Sequence, residues 1–336
     1  MKMFKTLLPL AALTTALSFT AAQATDLRLG DFQSTTHIIS VNGTQKWMQE
    51  VEDATGGEVT FTHFPSEQGA KAKALLDAVA NGILDAALIQ PIYTSDKLPL
   101  WSIVGLPGFY TTAGQGTTAL QDMTRSGPTR DELLAAGVVP IFAVALPPYQ
   151  VLSKDGRMSD PSAWTNKQIR TSGAAQALVA QSLGGVGVSI PGPEVYTGVE
   201  RGRLDAVLFP LPSVPGYNLQ EVSKHISTNG AFGGSLLMLV MNKDVFEGLP
   251  ADQQEKLLSV GDSVAKHVGA YQDEIGGKLA REWADSGIDV YTLEDKELAA
   301  LNDVMKAVQQ DWLDRIGSRN ADAAPTLERY RGLTAN

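Results

Sequence analysis

One fifteen-residue pattern occurs twice in this chain. "LLDAVANGILDAALI" spans 75–89 and "VYTGVERGRLDAVLF" spans 195–209; aligned without gaps, both keep a Val, a Gly, Leu-Asp-Ala and a Leu. In the first copy Ala70, Ala74, Leu75, Ala78 and Val79 recur at helical spacing, with Lys71 and Lys73 on the outer side. Gly82 stands where a left-handed helix stop is needed, and "ILDAALIQ" then reads as a short buried strand. In the second copy Pro193 suits the first helical position and Glu194 the first turn. Gly202 ends that helix, and "RLDAVLFPLP" reads as a strand stopped by Pro210 and Pro212. A helix, a glycine stop and a strand, repeated, constrain the chain to an α/β architecture with two equivalent units. Ligands of open α/β sheets sit beyond the carboxyl ends of the strands. Gln90 and Tyr93, after the first strand, and Phe209, at the end of the second, are therefore predicted to line one shared cleft.

The flanking sequence extends the same alternation. "DLRLGDFQ" (26–33) and "EVTFTHFP" (58–65) read as strands, with an amphipathic helix over 37–57 between them that turns Trp47 and Val51 inward. "VVPIFAVAL" (138–146) is a continuous apolar run and reads as a buried strand crossing toward a second domain; "YQVLSKD" and "KQIRTSG" supply the next strands. The span 250–286 is helical almost without pause, weakened only at Gly276-Gly277. At about 1.5 Å per residue it would be roughly 54 Å long. That exceeds one small domain, so the helix is predicted to brace both. "GIDVYTL" then reads as a late strand and "DKELAALNDVMKAVQQDWLDRIG" as a terminal helix. "GGVGVSIPG" (184–192) reads as a helix stop and turn rather than a nucleotide loop, because it fails the G-x-G-x-x-G register.

The N-terminus reads as an export leader. Lys2 and Lys5 precede the apolar run "LLPLAALTTALSFTAA", and "AQA" (22–24) supplies the small-x-small cleavage pattern. The run is short for a bilayer span of about 20 residues. Cleavage is expected after Ala24, releasing the protein to the periplasm.

Catalytic parts are missing. The four histidines are His37, His63, His225 and His267, and none pairs with another at the i, i+4 spacing of a zinc helix. There is no cysteine, no G-x-S-x-G elbow and no phosphate loop. An enzyme is not expected, and neither a cofactor nor a metal is implied. The formal net charge of −10 repels nucleic acid and anionic lipid. An anionic ligand would need a basic group set locally against that field, which makes any buried arginine informative.

"PGPEVYTGVERGRLDAVLFP" resembles the helix-to-strand segment of the solute-binding proteins of tripartite ATP-independent periplasmic (TRAP) transporters, of the dicarboxylate-binding type. "DPSAWTNKQIRTSG" (160–173) is similar to that family's K-x-I-R element, "FPSEQGAKAKALLDAVANGILD" to its P-x-x-Q-L-G element, and "MNKDVFEGLPADQQEKL" (241–257) to the approach to its long helix. The resemblance covers essentially the whole chain beyond the leader. It implies a two-domain clamshell with a ligand cleft between domains and a long bracing helix. The domains would be 25–146 with 233–265, and 147–232 with 266–330. The two echoes would face each other across the cleft. The implied task is to capture a small organic carboxylate and hand it to membrane permease subunits.

Residue by residue, the arginine of K-I-R falls on Arg170 and is implied to grip the carboxylate. A planar guanidinium can meet both oxygens in a fork, which lysine cannot. Sugar-acid binders carry a second arginine where "PPYQVLS" here places Tyr149, and a polar Asn where "DAVLFP" places Phe209. Gln90 stands at a position often acidic or amide, and His37 lies near the N-terminal ligand loop. Apolar walls with a few placed polar groups favour an aromatic or apolar monocarboxylate, or a 2-oxo acid. The alternatives are an exported ligand sensor and an exported enzyme on the same fold.

Overall fold

The computed structural model describes residues 24–335, so the expected leader, apart from Ala24, lies outside the described residues. Among the described residues eleven strands form two sheets. The first contains β1 (Thr25–Asp31), β2 (Val59–Phe64), β3 (Ala86–Ile89), β4 (Val138–Leu146) and, from much later in the chain, β10 (Ser235–Asn242), in the order β2-β1-β3-β10-β4. The second contains β5 (Gln150–Ser153), β6 (Gln168–Thr171), β7 (Val186–Ser189), β8 (Ala206–Phe209), β9 (His225–Ser227) and β11 (Asp289–Tyr291), in the order β11-β9-β5-β8-β6-β7.

The echo has a topological meaning. β1 pairs in parallel with β2 on one side and β3 on the other. β6 does the same with β7 and β8. β3 and β8, the strands of the two copies, are each next paired with an antiparallel strand, β10 and β5 respectively. Gly82 and Gly202 hold matching left-handed φ values of 70° and 68°, a region that costs other residues a steric penalty. Each stops its helix, Leu75–Ala80 or Val195–Glu200, so that the chain can turn into the strand.

The expected elements stand, with three local differences. The helix predicted over 37–57 opens with a π-helical stretch, Ser40–Gln45, before Lys46–Thr55; Trp47 and Val51 are fully buried as read. The helix of the first echo is preceded by a 3-10 turn, Ala72–Ala74, whose tighter pitch buries Ala72 and leaves Ala74 exposed. Val186–Ser189, read as a turn, is an edge strand, recruited by parallel pairing with β6. Its glycine and half-exposed pattern hid it from a search for buried apolar runs.

The chain crosses between sheets three times, after β4, before β10 and along the long helix to β11, and the first two crossings are tied together. Tyr149 N donates to Gly233 O at 2.9 Å, and Phe232 N donates to Tyr149 O at 3.1 Å. The Gln150 side chain bonds Gly230 through both its amide atoms, at 2.6 and 2.8 Å. The long helix runs unbroken over Ala251–Asp285, through Gly276-Gly277. It packs on β4 and on the helix Ala113–Arg125 of the first sheet unit, and also reaches the turn Leu211–Ser213 and β11 of the second. It is the brace the sequence predicts. Gly261 lets it lie close to β4, since a Cβ there would sit 2.9 Å from Ile141 O. Trp47 Nε1 donates to Leu257 O at 3.1 Å, fixing the first helix to the brace.

Candidate functional site

The carboxyl ends of the two equivalent sheet units meet. β3 ends into Gln90 and the turn Pro91–Thr94, which carries Tyr93; β8 ends in Phe209, followed by the turn Leu211–Ser213. Between them lies a narrow cavity with about 260 Å3 of atom-free space, counting the part open to solvent. Arg170, Tyr149, Phe209, Gln90 and Tyr93 all line it. His37 does not. It is fully buried beside the cavity, its ring 5.2 Å from that of Tyr217, which is itself in the wall. The packing there is tight, because a Cβ on Gly216 would fall 2.1 Å from His37 Cδ2.

Arg170, on β6, is 1 % exposed. Among the described residues no other lysine or arginine is buried, and no carboxylate forms an ion pair with it. Its Nε donates to Ile190 O and its Nη1 to Leu208 O, both at 3.0 Å. Its Nη2 donates to the Tyr93 hydroxyl at 3.4 Å. Phe209 covers one guanidinium face, with Cζ 4.9 Å from the ring centroid. Leu208 and Phe209 belong to the strand of the second echo, so that unit both holds the arginine and shields it. A buried cation with neutral partners only is costly, since an unpaired ion in the interior forfeits several kcal/mol of hydration. The arrangement is complementary to an anion delivered from outside the chain.

The rest of the wall is aromatic and amide. The Tyr149 ring stands 6.4 Å from Phe209, and Phe209 meets Tyr217 edge-on at 5.6 Å and 86°. Phe32 meets Tyr93 at 6.1 Å. Gln90 Nε2 donates to Ser235 Oγ at 2.8 Å and to the Tyr149 hydroxyl at 3.4 Å. Burial raises the Tyr93 phenol to about 12, with the Arg170 charge acting the other way, so it stays protonated at neutral pH. Burial holds His37 down to about 3; its Nδ1 accepts from Ile39 N at 3.2 Å. Asp31, at the end of β1, is pushed up to about 7 by burial, against the Gln33 N–H that its Oδ1 accepts at 2.8 Å.

Sequence reasoning missed Phe32, Gln33, Leu146, Ser213, Tyr217 and Leu237, which share the wall. A signal existed for three of them. Phe32 and Gln33 follow the carboxyl end of β1, and Leu146 is the last residue of β4, the positions the strand-end rule singles out. Tyr217, in a 3-10 turn between β8 and β9, carries no such mark. Among the described residues no cluster of His, Cys, Asp and Glu could hold a metal ion, and no helix is long and apolar enough to cross a membrane.

Residues 30–315 match the bacterial extracellular solute-binding proteins, family 7. A solute-binding protein of Albidiferax ferrireducens is 26 % identical over 95 % of this chain and 94 % of its own length. Among solved structures, a marine metagenome TRAP solute binding protein specific for aromatic acid ligands, in complex with 3-hydroxybenzoate, superposes with a TM-score of 0.87 at 20 % identity, covering 93 % of this chain and 98 % of that one. A TRAP periplasmic solute binding protein of Bordetella bronchiseptica with bound mandelate superposes at 0.83 with 23 % identity, covering 93 % and 99 %. The fold is thus the two-domain α/β fold of these binding proteins.

Proposed function

Because the chain belongs to the bacterial extracellular solute-binding proteins, family 7, we propose that it captures a small organic carboxylate outside the cytoplasm and delivers it to TRAP permease subunits, with Arg170 gripping the carboxylate. The observation that carries the reading is Arg170 itself: a guanidinium 1 % exposed, facing a cavity between the two sheet units and holding no carboxylate of its own. Three of its five N–H groups are engaged, which leaves two for a ligand. Tyr93 and Gln90 come from the first unit, Tyr149 from the crossing and Phe209 from the second, so a bound acid would touch both halves. Such a ligand draws two lobes together by hinge closure. The tied crossings at 147–149 and 228–234 supply the hinge.

The ligand is an acid with a flat or apolar body. Phe32, Phe209, Tyr149 and Tyr217 offer ring faces and edges, and Leu146 and Leu237 add aliphatic wall. A sugar acid would leave hydroxyls unpaired against Phe209, at about 1–3 kcal/mol each. The aromatic acids held by the two structural neighbours support the same class. The leader is cut after Ala24, and the product works in the periplasm. The lobes are 25–146 with 233–265, and 147–232 with 266–330. Strand membership supports that division, since β1–β4 and β10 share one sheet and β5–β9 and β11 the other.

A thermal-shift and titration-calorimetry panel tests the reading, using benzoate, 3-hydroxybenzoate, mandelate, phenylpyruvate, short 2-oxo acids, succinate and a sialic acid. Saturating binding of at least one aromatic or 2-oxo acid, recovered unaltered, is expected. A hundredfold excess over Kd should stabilise the protein by about 2.7 kcal/mol. Preference for succinate or the sialic acid over every aromatic and oxo acid would overturn the pocket assignment. Turnover of the bound acid would overturn the carrier assignment.

A further inference from the structure

Tyr93 occupies an unusual hydrogen-bonding position. It stands in the turn Pro91–Thr94 that follows β3, in the first sheet unit. Its hydroxyl oxygen accepts from Gly192 N at 3.0 Å and from Arg170 Nη2 at 3.4 Å. Both donors belong to the second unit: Arg170 to β6, and Gly192 to the turn that opens the second echo. A backbone N–H and a guanidinium N–H can only donate. The phenol oxygen therefore has both its acceptor sites engaged, while its own hydrogen finds no acceptor among the described residues. Tyr93, Arg170 and Gly192 all line the cavity.

We propose that the Tyr93 O–H is a hydrogen-bond donor to the ligand's carboxylate, brought beside the Arg170 guanidinium only when the two lobes meet. The inference rests on the carboxylate reading given above for Arg170. A carboxylate offers about four acceptor sites, enough for two remaining guanidinium N–H groups and one phenol. The phenol is polarised for this role, because its oxygen takes hydrogen bonds from a cation and an amide while its hydrogen is free. The arrangement also ties recognition to closure. In an open cleft Tyr93 is parted from Gly192 and Arg170, so the full donor set exists only in the closed state. A neutral ligand of the same shape gains nothing from the third donor.

Tyr93→Phe tests this, since it keeps the ring against Phe32 and removes only the oxygen. The probe is whichever of benzoate, 3-hydroxybenzoate, mandelate and phenylpyruvate binds the wild type most tightly. The expected result is an affinity about 10- to 150-fold weaker, the range for a hydrogen bond to a charged group. The melting temperature of the ligand-free protein should be unchanged, and small-angle scattering should show the same compaction as wild type at saturation. An affinity within threefold of wild type would refute the donor. A variant that binds but no longer compacts at saturation would refute it too, because the hydroxyl would then serve only as a latch between lobes. Arg170→Met, measured alongside, separates this inference from its premise. If Arg170→Met binds like wild type, the carboxylate reading falls, and the Tyr93 proposal with it. If only Tyr93→Phe is silent, the premise stands and the donor is wrong.

Discussion

Replacing Arg170 by methionine should separate the stability of this protein from its affinity. In the ligand-free protein the change removes two hydrogen bonds within the second unit, to the carbonyls of Ile190 and Leu208, each at 3.0 Å. Carbonyls left unpaired cost about 1–3 kcal/mol each. Against this, the variant no longer strips water from a guanidinium that is 1 % exposed and has no anionic partner, a relief of several kcal/mol. Methionine's flexible apolar chain also keeps contact with Phe209. The opposing effects nearly cancel, leaving a net change within about 2 kcal/mol. For a chain of this size that is a shift in Tm of about 3 °C or less, in either direction. Binding has no such cancellation. Loss of a desolvated charge partner costs about 2–5 kcal/mol, or roughly 30- to 4,000-fold in Kd. Arg170→Lys should recover little, because a point charge does not reproduce the fork. Differential scanning calorimetry and titration calorimetry on the same preparations read both quantities. A variant that is well folded and still binds its acid within threefold would refute the grip. A variant that fails to fold would show Arg170 to be a structural residue.

Gly216→Ala should hold the lobes apart, because its Cβ would fall 2.1 Å from His37 Cδ2 in the closed packing; ligand affinity should drop at least tenfold and the ligand-dependent fall in radius of gyration should vanish, and full compaction would disprove this. Phe209→Asn removes a ring that both covers Arg170 and meets Tyr149 and Tyr217; losing about 0.5–1.5 kcal/mol per aromatic contact, it should weaken aromatic acids several-fold or more, and unchanged calorimetric affinity would exclude Phe209 from the ligand. His37, held at about 3 against an ordinary 6.5, stays neutral in the native state while the unfolded chain takes up a proton, so it removes stability as pH falls below 6.5. Asp31, held at about 7 against 3.8, does the reverse, removing stability as pH rises from 3.8 toward 7. In His37→Gln the first slope is lost, so the variant should gain on wild type by about 1.4 kcal/mol per unit as pH falls below about 6; denaturation curves showing a constant difference from pH 7 to 5 would refute the burial of a neutral imidazole.

Local pattern by itself determined most of the architecture. The echo, the long helix, the helix Asp295–Gly317 and strands β1 to β6 follow from periodicity and from glycine and proline stops, which act within a few residues; the helix read as terminal is followed by one more, Ala323–Thr334. The same rule at the strand ends was enough to place Gln90, Tyr93 and Phe209 on one cleft. Arg170 stood out only through its resemblance to a known element, because a lone arginine after a strand is ordinarily a surface residue. What the tertiary structure decided are relations between distant positions. Arg170 is buried without a counter-charge, Phe209 lies on its face rather than merely walling a ligand, and Tyr93 accepts from two groups of the opposite lobe at separations of 77 and 99 residues. His37 packs beside the cavity on Gly216 rather than within it, and the edge strand Val186–Ser189 exists because β6 offers it a free edge. No periodicity encodes such contacts. They arise when two equivalent units, each specified locally, are brought face to face, and the chemistry at their meeting depends on which side chains each unit lacks a partner for.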